Sequence, residues 1–241
     1  MSLFLDALTD QILLFDGAMG TQLHAANLPL SDYNGLENCS EILNYTRPDV
    51  VKRIHHTYYA AGADVVETNS FGGSQVVLAE FGLTDECYGL NRRAAEIARE
   101  AAVEASTPQR PRFVAGSIGP GTRLPSLGHI DWDALLAASI PQVEGLVDGG
   151  VDVLLIETCQ DILQTKCSLA AIKHVFDKKG VRIPVMAQVT METTGTMLVG
   201  TDIAAACTIL SSYDHVDVIG LNCATGPVEM AGHIAWLGRH C

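Results

Sequence analysis

Apolar positions along the chain gather in six short runs, each followed by turn residues and then by a longer amphipathic stretch. The runs are Ile12-Leu13-Leu14-Phe15, Ala63-Asp64-Val65-Val66, Phe113-Val114-Ala115, Val153-Leu154-Leu155-Ile156, residues 184–190 and residues 216–221. Continuous rather than alternating apolar character marks strands covered on both faces, which is how a parallel sheet reads. The stretches 48–61, 91–105, 132–149, 161–179, 202–212 and 227–239 read as the intervening helices. Ala60-Ala61-Gly62 and Asp148-Gly149-Gly150 place glycine where a left-handed stop is wanted, each directly before the next run. No linker, low-complexity segment or repeat beyond this βα rhythm is visible.

A repeated βα unit fits either an open doubly wound sheet or a (β/α)8 TIM barrel. The doubly wound fold predicts an early glycine-rich phosphate loop, but Asp16-Gly17-Ala18-Met19-Gly20-Thr21 is neither G-x-G-x-x-G nor a P-loop. The barrel predicts chemistry at the C-terminal ends of many strands. Asp16, Glu67 with Asn69, Ser117, Glu157 and Cys223 all follow apolar runs, so the expected fold is the barrel.

The polar residues at the run ends are the candidate chemistry. Asp16 reads equally well as a turn former before Gly17 and as a carboxylate at the barrel mouth. Glu157 is harder to explain structurally, because glutamate is a poor strand former and a carboxylate in that position needs a partner; an ammonium would suit it. Cys223 precedes Ala224-Thr225-Gly226-Pro227 and a helix start, a setting that favours thiolate. Cys159, two residues past Glu157, is a weaker candidate of the same kind. The eight histidines form no metal-ligand spacing and are expected at the surface or as caps. Ala115-Gly116-Ser117-Ile118-Gly119 resembles a nucleophile elbow, but Pro120-Gly121-Thr122 continues as loop where a helix should begin. Gly116, Gly119 and Gly121 could bring backbone amides to an anion.

Composition narrows the partners. The 241 residues include 28 Asp and Glu against 15 Lys and Arg, a formal charge of −13, which disfavours nucleic acid and anionic lipid. No apolar run approaches the ~20 residues that span a bilayer, and the first residues carry no basic, cleavable leader, so a cytoplasmic protein is expected. Seven cysteines, odd in number and without C-x-x-C, argue against a disulfide framework and for small buried thiols.

Leu14-Phe15-Asp16-Gly17-Ala18-Met19-Gly20-Thr21, Glu67-Thr68-Asn69-Ser70-Phe71, Gly116-Ser117-Ile118-Gly119-Pro120, Ile156-Glu157-Thr158 and Gly220-Leu221-Asn222-Cys223-Ala224 together resemble, in that order, the homocysteine-binding domain of the homocysteine S-methyltransferase family. Gln188-Val189-Thr190, Gly195-Thr196 and Gly200 make the chain most similar to the N-terminal module of the cobalamin-dependent branch. The resemblance implies a (β/α)8 barrel that holds zinc through three cysteine thiolates and takes homocysteine sulfur as the fourth ligand. It implies Cys223 as the first thiolate, Asp16 and Gly17 at the amino-acid end of homocysteine, and Glu157 as the carboxylate receiving its ammonium. Asn69 and Asn222 lie in matching motifs near the metal, with Asn69 counted among the substrate-binding residues. The implied reaction passes a methyl group from methylcobalamin or 5-methyltetrahydrofolate to the zinc-activated thiolate, giving methionine. Homocysteine and a methyl-donor domain or small-molecule donor are the implied partners, with the cobalamin and folate sites in other domains.

The sequence departs from the family in one place. The adjacent cysteines of the family's Gly-Gly-Cys-Cys segment, the other two zinc ligands, do not occur. Six βα units also occupy the whole length, so residues 1–241 are expected to be a barrel domain lacking its last two units. An in-frame continuation carrying two further units and Gly-Gly-Cys-Cys is the expectation. The alternative is an inactive remnant, or a non-catalytic barrel that binds an amino acid.

Overall fold

The computed structural model describes residues 2–241. In chain order, its helices and strands are α1 (Leu3–Asp10), α2 (Met19–Ala25), α3 (Leu43–Thr46), α4 (Pro48–Ala61), β1 (Val65–Glu67), α5 (Gln75–Leu78), α6 (Cys87–Ala105), β2 (Phe113–Ile118), α7 (Trp132–Asp148), β3 (Val153–Cys159), α8 (Ile162–Lys179), β4 (Val185–Val189), α9 (Ile203–Leu210), β5 (Val218–Leu221) and α10 (Pro227–His240). The strands form one parallel sheet in the order β1-β2-β3-β4-β5, each joined to the next through at least one helix. The six predicted runs therefore become five strands. The first run contributes a single parallel bridge, Phe15 to Val65, because Asp16 and Gly17 turn the chain away beside a strand that is itself short. It still occupies the sheet edge: Val65 N–H donates to Leu14 O at 3.1 Å, and Asp16 N–H donates to Val65 O at 3.0 Å.

Strand side chains alternate between two faces. One row, Val65, Phe113, Ala115, Val153, Leu155 and Met186, forms a concave core with Leu13 and with Phe4 of α1. Phe4 meets Phe113 edge-on at 5.6 Å and closes the N-terminal end of the strands. The opposite row, including Val66, Val114, Leu154, Ile156, Val185 and Ala187, packs against the helices. Ile12 is 95% exposed and Leu14 58%, because no helix covers the outer face of the first run among the described residues. At the far edge, the residues of β5 are only half-buried.

Three aspartates stand immediately before strands: Asp64, Asp152 and Asp217. The main chain of each donates to the strand one place earlier in the sheet, through Asp64 N to Leu14 O (2.7 Å), Asp152 N to Val114 O (2.9 Å) and Asp217 N to Val185 O (2.9 Å). The carboxylate of each then accepts the N–H of the same residue, from Leu14 at 3.1 Å and from Val114 and Val185 at 2.7 Å. Arginine completes each clamp: Arg110 and Arg112 on Asp64, Arg99 on Asp152 and Arg182 on Asp217. The register lock thus recurs on alternate strands, a two-unit repeat that leaves almost no trace in the sequence because only one residue per repeat carries it.

Asp131, Asp161 and Asp202 accept N–H bonds at the starts of α7, α8 and α9, and Gly62 and Gly150 take the left-handed conformation before β1 and β3. Five of the seven cysteines are buried, as expected. The expectation for histidine needs correction at two positions. His215 is buried, with Nε2 3.2 Å from Leu169 O. His55 is wholly buried with neither ring nitrogen hydrogen-bonded, and burial drives its pKa down to about 3, so it packs as a neutral ring. No described helix is long and apolar enough to cross a membrane.

Candidate functional site

Following the concave row toward the C-terminal ends of the strands, the residues change from apolar to polar at one level. Val65 is succeeded by Glu67, Ala115 by Ser117, Leu155 by Glu157 and Met186 by Gln188, while Asn222 lies just past β5. Glu67, Ser117, Glu157, Gln188 and Asn222, with Asp16, Gly17, Asn69 and Cys223, line a cavity of about 860 Å³. The fold therefore gathers Asp16, Gly17, Asn69, Glu157 and Cys223, five residues picked out in the sequence, around one space. No lysine, arginine or histidine lines it among the described residues, although Asp16, Glu41, Glu67, Glu80 and Glu157 all do.

The position of Glu157 depends on an irregularity in β3. Ile156 pairs with Ala187 and Cys159 with Val189, so β3 carries one residue more than β4 over this interval, a bulge. Within it Thr158 sits at φ 59°, a left-handed conformation that a β-branched residue adopts only when its surroundings impose it. Asn222 imposes it from both sides: its Oδ1 accepts Thr158 N–H at 2.8 Å, and its Nδ2 donates to Thr158 Oγ1 at 2.8 Å. Ser117 Oγ donates to Glu157 Oε1 at 2.5 Å, and Asn222 Nδ2 lies 3.3 Å from Glu157 Oε2. Cys223, also left-handed at φ 62°, has its sulfur 3.5 Å from Asn222 Nδ2 and 3.6 Å from Thr158 Oγ1. Glu157, Thr158, Asn222 and Cys223 are therefore one connected set.

On the other side of the cavity, Asp16 Oδ2 accepts Glu67 N–H at 3.1 Å, while Oδ1 is buried without a partner. Burial, reinforced by the nearby Glu157 carboxylate, raises the Asp16 pKa to about 7. Burial and then the charges of Glu157 and Asp16 push Glu67 up to about 9. Glu157 is also raised by burial, against the opposing effect of its hydroxyl donors. Three acids crowded together without a counter-charge hold protons that a cationic ligand would displace. Gly17 packs closely on Tyr58: a Cβ there would lie 3.1 Å from Tyr58 Oη, whose hydroxyl donates to Ala18 O at 3.2 Å and steadies the turn.

Asn69 lines the cavity, but its amide is committed elsewhere. Nδ2 donates to Ser40 O at 2.8 Å and to Asn44 Oδ1 at 3.1 Å, tying the loop after β1 to the segment before α4. Cys159 belongs to the outward core, wholly buried, with its thiol raised to about 12 by burial. Glu67 and Ser117 stand in the sequence as polar residues ending apolar runs, without a place at the substrate, and Thr158 is not marked out at all. Period-two alternation from Val65 and Ala115 points to the first two, whereas nothing local in the sequence signals the bulge at Thr158.

A catalytic zinc takes three protein ligands. Cys223 is the one thiol lining the cavity, and no group of three His, Cys, Asp or Glu side chains among the described residues could hold a metal. Cys223 by itself does not make a zinc centre.

The family model described as Homocysteine S-methyltransferase matches residues 13–241. The chain belongs to the homocysteine S-methyltransferase family. It is 49% identical over 236 residues to the methionine synthase of Mycobacterium tuberculosis and 48% identical over 236 residues to that of Mycobacterium leprae. Each alignment covers 98% of this chain and 20% of the relative, so the chain spans about a fifth of the length of those methionine synthases. Among solved structures it resembles the homocysteine methyltransferase MmuM of Escherichia coli in its metallated form, with TM-score 0.79, 26% identity, and coverage of 97% of this chain and 82% of that one. The apo form of MmuM matches with TM-score 0.75 at 26% identity. For a homocysteine S-methyltransferase, the five-stranded parallel sheet is thus most of a barrel, and the polar level at its C-terminal rim lies where barrel enzymes carry their chemistry.

Proposed function

We propose that this chain is the homocysteine-binding part of a methionine synthase-type methyltransferase. The observation that carries the reading is the cavity with Asp16, Glu67 and Glu157 on its walls, no basic side chain, and Cys223 at its rim. An amino-acid ammonium entering there would pair with Glu157, whose two oxygens are already aimed by Ser117 and Asn222. The turn at Gly17, braced by Tyr58, would offer main-chain N–H groups to the carboxylate end. The homocysteine side chain would then extend toward Cys223. Fixing both ends of the molecule orients the sulfur for in-line displacement at a methyl carbon, and the acids on the wall contribute orientation rather than a general base.

Residues 1–241 are read as a (β/α) barrel domain short of its last two units, with the first run and β5 as the edges those units would join. Zinc belongs to this reading only with two further cysteine ligands from beyond the described residues. Methylcobalamin or 5-methyltetrahydrofolate as donor belongs to other parts of a longer protein. Five buried free thiols suit a reducing, cytoplasmic setting.

Calorimetric titration with homocysteine tests the binding step on this chain. Binding that needs no metal and is lost in Glu157→Gln supports it; no binding, or binding indifferent to Glu157, refutes it. In the full-length protein, zinc content and methionine formation test the reaction. Their absence there, with homocysteine binding retained, would favour the second reading, a non-catalytic amino-acid-binding barrel, which the lone Cys223 already suggests.

A further inference from the structure

β4 carries four apolar residues and one amide, Gln188, the one residue of the strand left half-buried. It stands on the cavity face, next beyond Met186 in the concave row. Its neighbours fix where it lies. On one side the bulge of β3 sets Glu157 and Thr158 against Gln188, between the pairs Ile156 with Ala187 and Cys159 with Val189. On the other side Gln188 pairs with Gly220 of β5. A methyl group on Gly220 would lie 3.4 Å from Gln188 Cγ and 3.8 Å from Nε2, so the side chain rests over the bare glycine with its amide on the cavity wall.

The comparable side chains around the cavity are spent within the protein. Asn69 donates to Ser40 and Asn44, Asn222 to Thr158 and Glu157, and Ser117 gives its hydroxyl to Glu157. Gln188 makes no side-chain hydrogen bond among the described residues, and a half-buried amide without a partner costs the fold free energy. With no lysine, arginine or histidine on the walls among the described residues, it is the one unengaged side-chain N–H that the strands offer to an anionic group.

We propose that Gln188 is a substrate-binding residue that donates its Nε2–H to the carboxylate of the amino acid whose ammonium Glu157 receives. The role rests on the cavity being a homocysteine site. The ammonium and carboxylate of an α-amino acid hang from the same carbon, so the side chain set against Glu157 in the sheet is in place for the carboxylate. A carboxylate has two oxygens and about four acceptor positions, so Gln188 and the main-chain N–H groups of the Gly17 turn can serve it together. A neutral amide suits this wall better than a cation would, because a lysine or arginine beside Asp16, Glu67 and Glu157 would pair with those acids and occupy the ammonium's place. Gln188 thereby makes the cavity selective for an amino acid over a simple amine.

Calorimetric titration of the chain with homocysteine and with homocysteamine, the same molecule without its carboxylate, tests the assignment. Gln188→Met keeps an unbranched side chain of similar length and removes the amide; it should weaken homocysteine binding roughly tenfold and leave homocysteamine binding unchanged. Gln188→Glu sets a carboxyl group against the ligand's carboxylate and should weaken homocysteine further than Gln188→Met does, again without weakening homocysteamine. Glu157→Gln should weaken both ligands, since both carry the ammonium. Homocysteine affinity unaltered by Gln188→Met overturns the inference, and so does an equal loss for the two ligands, the mark of a disturbed site rather than a lost carboxylate contact. A parent chain that loses homocysteine on Glu157→Gln but not on Gln188→Met refutes the role of Gln188 alone, whereas a parent that binds no homocysteine refutes the homocysteine site along with it.

Discussion

Replacing Glu67 by glutamine should stabilise the protein, increasingly so as pH rises. In the folded chain Glu67 is held near pKa 9 by burial and by the charges of Glu157 and Asp16, against 4.5 for an unperturbed glutamate. At neutral pH it is therefore protonated when folded and ionised when unfolded. A raised carboxyl contributes stability that is present in full below the unfolded pKa and is lost as pH climbs toward the folded one. Between 4.5 and 7 this loss comes to about 3 kcal/mol, at 1.36 kcal/mol per unit. Glutamine copies the neutral acid in the native state and removes only the ionisation that favours unfolding. Glu67→Gln should thus match the parent near pH 4.5, exceed it by about 3 kcal/mol at pH 7, and flatten the pH slope by roughly one proton. Urea unfolding of both proteins at about pH 5, 6, 7 and 8 measures this. Parallel pH slopes, or a variant less stable than the parent at both ends of the range, would refute the crowded-acid account of the cavity.

Glu157→Gln should weaken homocysteine binding tenfold or more, about 1.4 kcal/mol, because the ammonium loses its aimed carboxylate. Affinity in the parent should fall as pH drops through about 7, where Asp16 takes up its proton; calorimetry across pH checks both. Asp64→Ala should cost about 3 kcal/mol, since it leaves Arg112 largely buried beside an empty site and orphans Leu14 N–H, whereas Asp217→Ala, whose Arg182 partner is more exposed, should cost about 1. In denaturant melts, Gly145→Ala should lose about 2 kcal/mol, because its Cβ would lie 2.5 Å from Tyr88 O. Gly232→Ala, in the middle of α10 with nothing within 4 Å of the new methyl, should gain about 0.5 to 1 kcal/mol.

Local patterning carried the fold a long way. The apolar runs at 113–115 and 153–156 became β2 and β3, glycines 62 and 150 stopped their helices, and Asp161 and Asp202 capped the next ones. These features are legible because alternation, capping and left-handed stops are decided within a few residues. The run at 12–15 behaved differently, since a strand is stabilised by its neighbour and only Phe15 found one.

The site residues were legible one at a time, as polar residues ending apolar runs, but their relations were not. That Asp16, Glu67 and Glu157 share one cavity is a matter of strand register, set by pairing between residues far apart in the chain. That Asn69 spends its amide on Ser40 and Asn44, and that Thr158 is forced left-handed by Asn222, follows from loops meeting across the sheet. The sequence by itself determined the βα rhythm, the acidic balance and which residue types stand at the strand ends. Only the tertiary structure decided which of them face a common space and how their charges shift, because burial and Coulomb interaction depend on distance through space rather than along the chain.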